Sequence, residues 1–139
     1  MVNRTEAKTF EEFSGKVLSV DVEPSSLNAE EDQYHIQIKP LDVEIKGKTG
    51  LMHDWIRIPP TADINSVPEG SVIDMYIREL EKCDTKLKQM ESVNAVFQYM
   101  KGKTFKFVKG KLGKAFDGKQ AADHWLPRTI VSESSVNKK

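Results

Sequence analysis

The chain has 139 residues, 38% of them hydrophobic, one cysteine, and 21 Lys plus Arg balanced by 21 Asp plus Glu. A chain of this size buries roughly two-thirds of its unfolded surface in one domain, and the lone Cys83 excludes an intramolecular disulfide. No apolar run approaches the roughly 18 residues of a membrane span, and the opening MVNRTEAKTFEEF has no apolar signal core. Composition therefore predicts a soluble cytoplasmic protein with no membrane association: a flexible lead over 1–9, one domain over 10–131, and a disordered tail over 132–139.

The zero net charge is a sum of opposite poles. Residues 1–100 carry −7 and residues 101–139 carry +7. The basic excess lies in Lys101, Lys103, Lys106, Lys109, Lys111, Lys114 and Lys119, and the acidic pole spans residues 21–44, where seven carboxylates face Lys39 alone. Since ionic screening limits a field to about 8 Å at physiological salt, a local basic groove can act in a neutral chain. Alternatively, the two poles attract each other across the fold, or both are solvated faces.

Along the chain, Phe13–Val22 reads as a first strand that Gly15 lets bend, and residues 24–32 as a loop. Tyr34, Ile36 and Ile38 alternate with His35, Gln37 and Lys39 in a second strand, and Leu41, Val43 and Ile45 resume the alternation beyond Pro40. A turn at Lys46–Gly50 leads to a third strand over 51–58. After a loop over 61–70, Ile73, Met75 and Ile77 alternate with polar residues, which predicts a further strand over 72–80. From Thr85 to Met100 the apolar steps of three and four residues predict the main α-helix, capped by Asp84 or Thr85 and stopped by Gly102. Lys103–Lys109 returns to period two, Gly110–Ala122 reads as a loop, and His124–Val131 as a last strand.

Enzyme signatures are missing from the sequence. The triplets Gly47–Thr49 and Gly102–Thr104 lack the glycine that a phosphate loop carries five residues earlier, where Asp42 and Phe97 stand. There is no nucleophile elbow, zinc-protease motif or dinucleotide fingerprint. Adjacent His53 and Asp54 would point to opposite faces of a strand, and the three histidines and Cys83 lack structural-zinc spacing. The reading is non-catalytic, with no cofactor and no metal.

Several strands, a helix and further strands within one small domain predict a mainly β protein, an OB-fold-like antiparallel barrel with one main helix over about 85–100. The segments Phe13-Ser14-Gly15-Lys16-Val17, Tyr34–Pro40, Val67–Val72 and Trp125-Leu126-Pro127 together resemble the small archaeal OB-fold proteins related to replication protein A and single-stranded DNA-binding proteins. That resemblance implies binding of single-stranded nucleic acid. It carries over no metal, because the paired cysteines of zinc-containing relatives are missing.

Single strands are held by a basic groove along phosphates and by flat side chains that stack on bases. The candidates are Trp55, Arg57 and His53, placed by parity on the outer face of the third strand, with Lys103, Lys106, Lys109, Lys111, Lys114 and Phe116. Trp55 is either a stacking residue or one that caps the barrel or packs under the helix, whereas core packing is expected for Phe105 and Phe107 and core or barrel-end packing for Trp125. The alternative function is a protein-interaction module that joins a larger assembly, docking a partner through the acidic 21–44 region or the helix.

Overall fold

Period-two alternation sets the strands in the computed structural model, which describes residues 11–25, 31–43, 50–59, 66–112 and 123–132. The N-terminal lead, the end of the tail, Lys114 and Phe116 lie outside the described residues. The strands are β1 (Glu12–Pro24), β2 (Asp32–Pro40), β3 (Met52–Ile58), β4 (Thr104–Lys111) and β5 (Asp123–Ile130). All pairings are antiparallel, in the order β3-β2-β1-β4-β5, so the protein is mainly β, with one five-stranded sheet.

Inward residues of every strand meet in one core. Phe13, Val17 and Val20 of β1 join Ile36 and Ile38 of β2, Ile56 of β3, and Phe105 and Phe107 of β4. At about 25 cal/mol per Å² of buried apolar surface, this burial is the main force holding the sheet together. Gly15 serves packing: a Cβ there would lie 2.6 Å from Ile38 Cγ2 and from Phe13 Cε2. Pro127 is tolerated within β5 because, among the described residues, that strand has a ladder partner on one side only.

The predicted strand over 72–80 is a helix, α1 (Val72–Cys83). Ile73, Met75 and Ile77 satisfy a period of two, but the buried residues are Ile73, Tyr76 and Leu80, at helical spacing. The cap decides the outcome. Ser71 Oγ accepts the Asp74 N–H at 3.3 Å, satisfying a donor that would otherwise be orphaned in the first turn, while Asp74 Oδ2 reaches back to accept the Gly70 N–H at 2.9 Å ahead of the cap.

The predicted helix over 85–100 is broken into a 3₁₀ turn (Thr85–Gln89) and α2 (Val93–Tyr99). Asp84 ends α1 and caps the 3₁₀ turn, and Ser92 starts α2 anew by accepting the Ala95 N–H at 3.0 Å. Restarting at Ser92 turns Val96 and Phe97 into the core and leaves Met90 exposed. Gly102 then reverses the chain at φ 82°, and its N–H donates to Val17 O at 2.8 Å, fastening the end of α2 to β1.

The helices thus lie between β3 and β4 in the chain, and α1 packs across β3 and β5. The two outer strands approach one another through side chains. Asp54 of β3 points inward, and its Oδ2 accepts the backbone N–H of Trp125 on β5 at 2.9 Å. Its Oδ1 meets His124 Nδ1 at 2.8 Å. Among the described residues no backbone ladder joins β3 to β5, so the sheet curls toward closure without completing it. None of the described helices is long and apolar enough to cross a membrane.

Candidate aromatic binding face

The outer face of β2 and β3 follows from strand parity. With Ile36 and Ile56 buried, His35, His53, Trp55 and Arg57 point the other way. The register sets His35 opposite Trp55, Gln37 opposite His53 and Gln33 opposite Arg57. Trp55 is 46% exposed, so its ring is not buried in the barrel or beneath a helix.

Three rings stack in nearly parallel planes. The ring centroids of His35 and Trp55 are 5.0 Å apart with planes 14° from parallel, and those of His53 and Trp55 are 5.7 Å apart at 12°. His35 and His53 lie 5.0 Å apart at 26°, and His35 Nε2 is 2.8 Å from His53 Nδ1. His35 Nδ1 lies 2.6 Å from Glu23 Oε1 on β1. A carboxylate only accepts, so Nδ1 of His35 carries a proton; in the neutral ring Nε2 then accepts from His53 Nδ1–H. Burial pushes the His53 pKa below its ordinary value, and the neighbouring His35 lowers it further. Sequence reasoning placed His35 outward but missed its part in the site, because that part depends on the register.

The acidic pole borders this surface. Asp21 stands opposite His35, and Glu23 holds the His35 ring. Glu31 takes the Arg57 guanidinium in a bidentate pair at 2.6 and 2.7 Å. That hydrogen bonding holds the Glu31 carboxyl below its ordinary range and raises Arg57. Arg57 is therefore on the predicted face but already neutralised.

The described lysines of β4 divide between the two faces of the sheet. The register shift between β4 and β5 places the extra residue, Arg128, on β5, so β4 keeps its alternation. Lys106 lies on the outer side with Ser14 and Thr129, whereas Lys109 and Lys111 share the parity of Phe105 and Phe107 toward the far end of the strand. On the β2–β1 route, β3 and β4 are three strand spacings apart, about 14 Å along the sheet. Lys106 Nζ is 3.6 Å from Glu12 and Lys111 Nζ is 3.0 Å from Asp123, while Lys103 Nζ sits 4.8 Å above the Tyr99 ring. Phe105 and Phe107 are fully buried, and Trp125 packs edge-on against Phe13 with centroids 4.8 Å apart, all as core residues.

Packing also accounts for Cys83. Burial pushes the half-buried Cys83 thiol above its ordinary pKa, the opposite of an activated nucleophile. Among the described residues, no group of three or more His, Cys, Asp or Glu side chains is arranged to hold a metal ion. No family model and no curated protein matches this chain.

Proposed function

We propose that this protein is a non-catalytic, OB-fold-like module that binds single-stranded DNA or RNA by stacking bases on Trp55, His35 and His53. The observation that carries the reading is the exposed Trp55 ring on β3, with the half-buried rings of His35 and His53 nearly parallel to it. In OB barrels the face of strands 2 and 3 takes oligonucleotides. The strand order, the helices between β3 and β4, and the Asp54 link from β3 to β5 support the OB-like topology. The likeness to archaeal single-stranded DNA-binding proteins is part of this proposal.

Affinity in this arrangement comes from stacking more than from phosphate contacts. Each stacked base contributes about 1–3 kcal/mol. With Arg57 paired and the lysines split between two faces, about two phosphate contacts are expected, which lowers affinity only about sevenfold between 50 and 200 mM salt. Fluorescence anisotropy with labelled single-stranded DNA, RNA and duplex DNA tests this. Trp55→Ala should weaken single-strand binding by about 5- to 150-fold, the equivalent of one lost stack, and leave the salt slope unchanged. No binding of either single strand at low salt would refute the proposal.

The carboxylates along the rim favour one second reading. Asp21 and Glu23 near an exposed tryptophan suit a basic protein segment, whose Lys or Arg would lie over the ring. A poly-lysine peptide that quenches Trp55, when no oligonucleotide does, would select this alternative.

A further inference from the structure

The contact between His35 and His53 holds more than a stacking surface requires. Two imidazole nitrogens 2.8 Å apart need one proton between them, since two lone pairs at that distance repel. A proton shared in this way is what a metal ion replaces. The two histidines sit diagonally on adjacent antiparallel strands, so the backbone brings the nitrogens together before any ligand arrives.

We propose that His35 Nε2 and His53 Nδ1 form a two-nitrogen site for a divalent transition-metal ion of the copper and zinc class, with Glu23 as its outer carboxylate. Four features support it. Imidazole is a favoured ligand for these ions. The second nitrogen of a ligating histidine usually donates to a carboxylate, which fixes the tautomer and raises ligand basicity, and His35 Nδ1 is so held by Glu23 at 2.6 Å. Asp21, opposite His35, adds negative charge to this face, which attracts a dication. Cross-strand from the histidines, Asp21 and Gln37 bring oxygen donors to the same outer face.

The geometry needs a small adjustment. Two ligands about 2.05 Å from a tetrahedral ion lie about 3.3 Å apart, so the rings must part by about half an ångström. The His53 proton moves from Nδ1 to Nε2 by exchange with water, and both rings remain neutral. Two protein nitrogens leave further coordination positions to solvent or to an exogenous ligand.

The site can be tested without nucleic acid, so its failure is separate from failure of the stacking proposal. Copper(II) chloride is titrated into the full chain at neutral pH while tryptophan fluorescence is recorded, and zinc chloride is then added in competition. Trp55 lies 5.0 Å from the His35 ring, whereas Trp125 is in the core. Saturable quenching of the exposed tryptophan at one equivalent is expected, with micromolar affinity and recovery of emission by zinc. His53→Gln should abolish saturation. Glu23→Gln, which keeps both nitrogens, should weaken binding by about 10- to 100-fold. Circular dichroism of each variant verifies that the fold persists. Unsaturable quenching into the millimolar range, or equal affinity in His53→Gln or Glu23→Gln, would overturn the site.

Discussion

Replacing Asp54 by alanine tests how β3, and with it Trp55, is held against β5. The carboxylate is buried, as is His124, and it accepts the Trp125 N–H at 2.9 Å and meets His124 Nδ1 at 2.8 Å. It also accepts the Trp55 N–H at 2.8 Å. Removing it leaves two buried donors without an acceptor. Each costs about 1–3 kcal/mol, so Asp54→Ala should destabilise by about 2–6 kcal/mol. The unfolding entropy of a 139-residue chain makes 1 kcal/mol equivalent to about 3.4 °C, so the midpoint should fall by about 7–20 °C. Asp54→Asn keeps one acceptor oxygen and should lose roughly half as much. Tyr76 reports on the same region: its hydroxyl donates to Trp125 O at 3.1 Å, and burial, with the nearby Asp54 charge, pushes its pKa well up. Urea and thermal denaturation followed by circular dichroism give the magnitude, and a red shift in Trp125 emission would show β5 loosening. A change below about 0.5 kcal/mol, the range of ordinary surface substitutions, would refute the idea that Asp54 joins the two outer strands.

Gly15→Ala should destabilise by about 1–3 kcal/mol, measurable by urea unfolding, because its Cβ meets Ile38 and Phe13 at 2.6 Å in an already filled core. Glu31→Gln removes the carboxylate that neutralises Arg57; oligonucleotide affinity should rise and the salt slope should steepen by about 0.7, with an unchanged slope counting against Arg57 as a phosphate contact. The Tyr99 hydroxyl donates to Asp84 at 2.7 Å, and burial and this bond raise its pKa to about 12. The stability it contributes is full below the ordinary tyrosine value of 10.0 and is lost as pH rises through about 12, which a spectrophotometric titration would reveal as a late tyrosinate step. The same bond lowers the Asp84 carboxyl below 3.8, so that contribution is present above 3.8 and is lost as pH falls further.

The local signals in the chain differ in how much they convey. Alternation in Tyr34–Ile38 and His53–Ile58 identified two strands and the outward direction of His53, Trp55 and Arg57, because side-chain direction in a strand depends only on parity. Over 72–80 two periods compete, since Ile73 and Ile77 fit both, and the cap at Ser71 and Asp74 selects the helix. Register was beyond reach. A tight turn centred on Lys48 would set His35 opposite Thr61, whereas the actual pairing sets it opposite Trp55 and so brings the three rings together.

By itself, then, the sequence determined a mainly β domain, the outer position of Trp55, the core position of Phe105 and Phe107, and the segregation of charge into two poles. Tertiary structure alone decided that the acidic pole meets the aromatic face: Glu31 reaches Arg57 across 26 residues of chain, and Glu23 reaches His35 from a neighbouring strand. It also decided that the lysines of β4 divide between two faces. The physical reason is one of range. Periodicity and capping act within a few residues and can be read locally. Strand register and cross-strand electrostatics depend on how distant segments align, and burial of the whole core settles that alignment.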